Sequence, residues 1–128
     1  MTDSIRSGGC RCGAVRFEAK GAPKFVGNCH CEDCRRSTGA PFSTYVGYRD
    51  DAVRWKGASR TLYESSPGVR RGFCATCGAP LSYQGPKWAG ETHLFLGDFD
   101  DPSGLVPTGD VFTTEALPWV ALKKANRE

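Results

Sequence analysis

Cys29-His30-Cys31-Glu32-Asp33-Cys34 places three thiols within six residues, and Arg35, Arg36, Ser37, Thr38 and Gly39 follow directly. The other four of the seven cysteines stand as two distant pairs, Cys10-Arg11-Cys12 and Cys74-Ala75-Thr76-Cys77. A protein-bound zinc ion takes about four ligands in a tetrahedron, and a zinc that does chemistry keeps about one position open. On that rule seven thiols divide into four and three. Cys10, Cys12, Cys74 and Cys77 are read as a closed structural zinc site, and Cys29, Cys31 and Cys34 as a second zinc site with an open position, two ions per chain. The competing division is a single site using any four of the seven, with three cysteines buried as small apolar side chains. Iron–sulfur ligation draws on the same thiols and differs by its colour.

Upstream of this stretch, Cys10 and Cys12 share a face of an extended segment and Arg11 points away. In residues 14–20, Val15, Phe17 and Ala19 alternate with Arg16, Glu18 and Lys20, the pattern of a half-buried strand. Residues 24–28 form a second strand that delivers Cys29 to its metal. Downstream, Glu32 and Asp33 before Arg35 and Arg36 suit one short helical turn, stopped by Gly39 and Pro41. Further strands are expected over residues 42–49, 53–56, 61–65, 69–73 and 81–84, with 53–56 and 61–65 as neighbours in a meander. Residues 93–99 are apolar enough for a strand buried on both faces, 100–109 form an exposed loop, and 111–114 and 119–122 close the sheet.

The 128 residues make a single domain with flexible ends at 1–7 and 123–128. Sixteen glycines and eight prolines favour short strands over long helices, so the fold class is mainly β. Residues 1–9 lack the apolar core of a signal peptide and no run is long enough to cross a bilayer, which points to the cytoplasm and away from membranes. In that reducing setting clustered cysteines read as metal or redox sites before disulfides. The formal charge of +3 assumes neutral thiols. Seven thiolates subtract seven and two zinc ions add four, which takes it to zero. Such a chain lacks the field that non-specific nucleic-acid binding needs. Nothing in it specifies an oligomeric state.

Four other sets of residues have chemical readings. His30 lies between two ligands of an extended CxC and faces the opposite way, so a packing or outer role beside the metal is preferred to ligation. His93, in an apolar strand, reads as a satisfied core histidine. Arg35 and Arg36 either neutralise the thiolates or bind a substrate carboxylate, against the alternative of solvated helix-end arginines. Phe42, Tyr45, Tyr48 and Trp55 at strand spacing are core, or else line a pocket.

GGCRCGAVRFE at 8–18, CHCEDCRRSTGAPF at 29–42, FCATCGAPL at 73–81 and the late Pro118-Trp119 resemble the glutathione-dependent formaldehyde-activating enzyme family over nearly the whole chain. The resemblance implies a two-sheet zinc-bound fold of short antiparallel strands, the β-tent, with little helix. It implies a structural zinc on Cys10, Cys12, Cys74 and Cys77 and an activity-linked zinc on Cys29, Cys31 and Cys34. The implied reaction joins glutathione or a related small thiol to formaldehyde as S-(hydroxymethyl)glutathione, formally a carbon–sulfur lyase reaction in reverse. Glutathione carries two carboxylates, so some of Arg11, Arg35, Arg36, Arg70 and Arg71 should face the second zinc. The family also resembles centromere protein V, which acts on chromosomes and microtubules, and this supplies the alternative of a zinc-stabilised binding module without turnover.

Overall fold

Alternation over residues 14–20 becomes strand β2 (Val15–Lys20), in which Val15, Phe17 and Ala19 are buried and the charged residues between them are not. The structure, a computed structural model, describes residues 4–122. Two sheets carry its ten strands. A small antiparallel sheet contains β1 (Ile5–Gly9), β2 and β5 (Val53–Gly57). The large sheet runs in the order β10 (Gly109–Val111), β3 (Phe25–Cys29), β4 (Ser43–Arg49), β9 (Glu91–Phe95), β8 (Pro80–Gln84), β7 (Val69–Phe73), β6 (Thr61–Ser66).

The central strands β4 and β9 are buried on both faces, because each face has its own partner. Phe17 and Ala19 of the small sheet pack on Val46, Tyr48 and Leu94, joined by Phe99 and Leu105. Phe17 also meets Trp55 and Phe99 edge-on at centroid distances of 5.7 and 5.1 Å. Burying each such side chain contributes roughly 1.5–3 kcal/mol. The residues one step away on the same strands, Tyr45 and Phe95, point to the other side and pack with Cys29 and Cys34. The fold thus makes its core on one face of β4 and β9 and its cysteine cluster on the other.

Several expectations need correction. The start is not all flexible, since Ile5–Gly9 pairs with β2, while residues 1–3 and 123–128 lie outside the described residues. The helical turn extends to a seven-residue helix, α1 (Glu32–Thr38), because Cys31 caps its N-terminus and Gly39, in the left-handed region, ends it. β5 and β6 are not meander neighbours but belong to different sheets. The strand expected over 93–99 stops at Phe95, and a single 3₁₀ turn, Leu96–Asp98, brings Phe99 into the core. The loop over 100–109 buries Leu105. One pair is parallel: β10 runs beside β3 with Asp110 opposite Asn28. Residues 119–122 form no strand, and Trp119 is 70% exposed.

Candidate metal centres and the adjoining cavity

Cys10 and Cys12 lie in the turn between β1 and β2, and Cys74 and Cys77 in the turn between β7 and β8. The two turns are built alike. In each, the amide of the first cysteine donates to the carbonyl five residues on, Cys10 to Val15 and Cys74 to Ala79, both at 3.0 Å. Each turn reverses at a glycine of positive φ, Gly13 in one and Gly78 in the other. Side chains resist that conformation. The four Sγ atoms lie within 4.8 Å of one another, Cys10 to Cys12 at 3.6 Å and Cys12 to Cys74 at 3.8 Å. A sulfur tetrahedron with zinc–sulfur bonds of about 2.3 Å has edges of about 3.8 Å, so the donor set fits a closed zinc site. Crowding splits the thiols' acidities. Burial raises Cys10, but the Val15 N–H and the other three thiols outweigh it and bring Cys10 down to about 6. Cys12, despite the Ala14 N–H that lowers it, is pushed up to about 11 by Cys10, burial, Cys74 and Cys77.

The second cluster joins the end of β3 to the start of α1. Cys29 is the last residue of its strand, and Cys31 caps the helix by accepting the Cys34 amide at 3.3 Å. Their Sγ atoms and that of Cys34 also lie within 4.8 Å of one another, and among the described residues no fourth sulfur, imidazole or carboxylate joins them. Hydrogen bonding from Cys29, which outweighs burial, lowers Cys34 to about 5, with Tyr45, Cys31 and Arg71 adding to the effect. Cys29 is raised by its bond to Cys34 and by burial, and Cys31 chiefly by burial. Negative charge is therefore favoured at Cys34, beside Tyr45 and Arg71, rather than at Cys29 or Cys31. The Tyr45 hydroxyl stands 3.4 Å from Cys34 Sγ, and Arg71 Nη1 donates to that hydroxyl at 3.5 Å.

His30 turns to the other side, as the alternation predicts. It is wholly buried, with Nε2 2.7 Å from Asp110 Oδ1 and its ring against Phe42. Asp110 also accepts from Asn28, whose own carbonyl accepts from Thr44 at 2.6 Å, so β10, β3 and β4 are tied together behind the cysteines.

All three cysteines of this cluster open onto a cavity of about 730 Å³. Phe25, Tyr45, Tyr83, Trp88 and His93 line it, with Arg71 and Lys87 as its cations and Glu32, Asp33 and Glu115 among its acids. His93 is satisfied, as expected of a core histidine, by Glu91 at 2.9 Å, and burial keeps it neutral, yet it also reaches this cavity. Arg35 and Arg36 do not line it. They border a separate depression with Pro41 and Leu117, and Arg36 pairs with Glu32 at 2.8 Å. Of the five candidate arginines only Arg71 faces the cavity. Sequence patterns missed Lys87, Trp88, Asp110 and Phe112. A tryptophan in a Gly-Pro-Lys loop, outside any alternation, was the available signal for Trp88.

The sequence profile of the family described as glutathione-dependent formaldehyde-activating enzyme matches residues 5–115. A Halomonas elongata protein that provisionally bears the same description is 28% identical over 134 residues, covering 97% of this chain and 85% of the relative. A crystal structure of a Rhodobacter sphaeroides protein superposes with a TM-score of 0.64 at 26% identity, covering 79% of this chain and 91% of that one.

Proposed function

The chain belongs to the glutathione-dependent formaldehyde-activating enzyme family, and from that premise we propose that it is a cytoplasmic, zinc-dependent enzyme of the carbon–sulfur lyase type. It joins glutathione, or a related small thiol, to formaldehyde and yields S-(hydroxymethyl)glutathione. The observation that carries this reading is the three-thiol cluster, with no fourth protein ligand among the described residues, opening onto a cavity that holds two cations. A four-ligand second site would have favoured a binding module instead.

Cys10, Cys12, Cys74 and Cys77 would hold the structural zinc, and Cys29, Cys31 and Cys34 the second. Held by Cys29, Cys31 and Cys34, a zinc ion would supply Lewis acidity, which favours the thiolate form of a substrate thiol. The chain's own residues do the rest. Arg71 and Lys87 supply two positive charges for the two carboxylates of glutathione, and the Arg71 guanidinium suits bidentate contact. Glu32, Asp33 and Glu115 on the same cavity supply acids for its ammonium group. Burial, and the charge on Cys34, push the Tyr45 hydroxyl up, so it stays protonated and donates toward Cys34 Sγ. The thiol proton ends on the oxygen of formaldehyde, which needs no pocket of its own.

Calorimetry on the zinc-loaded protein tests this. Glutathione at millimolar concentration is expected to bind, and Arg71→Gln to weaken binding about tenfold to a hundredfold, the worth of a hydrogen bond to a charged group. Arg70→Gln, at an exposed candidate arginine that does not line the cavity, is the control and should change nothing. Absence of glutathione binding to protein carrying two metal ions per chain would overturn the reading.

A further inference from the structure

Formaldehyde has one carbon and glutathione has no ring, so neither accounts for the aromatic wall of the cavity. His93 is its hub, with centroids 4.7 Å from Phe25, 5.5 Å from Trp88 and 5.6 Å from Tyr83. Tyr45 extends the set through Tyr83 at 5.9 Å. These rings are not part of the core between the sheets, which lies on the other face of β4 and β9. They stand beside Cys29, Cys31 and Cys34 around a space of about 730 Å³. An apolar concavity of that size with a few convergent polar groups is the form of a small-molecule site.

The rim adds a second observation. Phe112, which also lines the cavity, has a positive φ that places it in the left-handed region. Bulky side chains avoid that region. Strain of this kind collects at ligand-binding positions.

Charge narrows the occupant. Aromatic cages often take cations. Here the protein's own cations already stand over the rings: Lys87 Nζ lies 4.6 Å from the Phe112 centroid and 6.0 Å from that of Trp88, and the Arg71 guanidinium 5.1 Å from that of Tyr83. Over these rings the positions a cationic group would take are already held by the protein's own charges, so a neutral group is favoured there, while the acids Glu32, Asp33 and Glu115 remain for an ammonium. The ring planes meet at mixed angles, 84° between Phe25 and His93 and 56° between Trp88 and His93. Such a wall offers both faces and edges to another ring.

We propose that the site takes, as partner of the thiol, an aldehyde that carries an aromatic side group, with the ring seated against Phe25, Trp88 and His93. This rests on the thiol-binding reading above and changes the aldehyde. The thiol S–H adds across the carbonyl: the carbon–sulfur bond forms, the carbonyl π bond breaks, and the thiol proton ends on the former carbonyl oxygen. The product is a thiohemiacetal and no electron acceptor is needed.

The test compares two stable thioethers on the zinc-loaded full chain by calorimetry. S-benzylglutathione mimics an aromatic adduct and S-methylglutathione the formaldehyde adduct. S-benzylglutathione should bind at least tenfold more tightly, with saturation transfer from the protein to its ring protons by NMR. Trp88→Ala should reduce that ratio to below threefold, and Trp88→Leu, which keeps more apolar volume, should reduce it in part. Equal affinities, or a ratio untouched in both variants, would sink the aromatic-aldehyde proposal while leaving thiol binding intact. If neither thioether binds, and glutathione does not either, the thiol reading falls and this proposal falls with it.

Discussion

At the scale of single residues, the buried carboxyl of Asp98 sets a pH dependence. Burial, with the charge of Cys77 adding, pushes it up to about 7, and its Oδ2 has no hydrogen-bond partner among the described residues. A folded-state value above the ordinary carboxylate range means that the unfolded chain releases this proton more readily. Its stabilising share is therefore complete at acid pH, below about 4, and is lost as pH rises through about 7. Asp98→Asn should be more heat-stable than the parent, with an advantage in thermal denaturation that grows between about pH 4 and about pH 7 and levels off above it at several degrees. An advantage that shrinks with pH would contradict the assignment. The cysteine groupings were legible at this scale, since spacing of two or three residues fixes which sulfurs share a face. The arginine of the cavity was not, because nothing local distinguishes Arg71 from Arg35 or Arg36.

At the scale of elements, strands were read from alternation and apolar runs, β4 included although both its faces are covered, and were misread where a turn ends the run. β2 alternates cleanly; the run into β9 does not, and its end at Phe95 is set by the turn that carries Phe99 into the core. β10 has three residues and pairs in parallel with β3, too short for any pattern to declare. β4 shows how closely an element and the site are coupled. Gly47 sits opposite Phe25, and an added methyl would fall 2.1 Å from the Phe25 ring. Gly47→Ala should cost about 1–3 kcal/mol in urea denaturation, as overpacking does. It should also displace Phe25 within the cavity and weaken S-benzylglutathione more than S-methylglutathione. A variant of parental stability would mean that the strand yields more easily than its two-sided packing implies.

At the scale of the whole molecule, the four-cysteine cluster links the two sheets: one turn belongs to the small sheet and the other to the large. Under the two-zinc reading, structural zinc contributes on the order of 10 kcal/mol to folding. Cys77→Ser is then expected to lower the melting temperature by more than about 15 °C or abolish cooperative unfolding. Cys31→Ser should lose one metal ion by elemental analysis and stay within a few degrees of the parent. Equal damage from both would refute the division of labour. The sequence by itself determined the β class, most strands and the three short cysteine motifs, because side-chain alternation and ligand spacing act over two to five residues, while the meeting of Cys10 and Cys12 with Cys74 and Cys77 was decided by the tertiary structure. Only the tertiary structure decided that Phe25, Tyr45, Arg71, Tyr83, Trp88 and His93 surround one cavity, and that Arg35 and Arg36 lie outside it. Strand register and the choice of sheet face bring those residues together, and both are settled by packing between segments far apart in the chain.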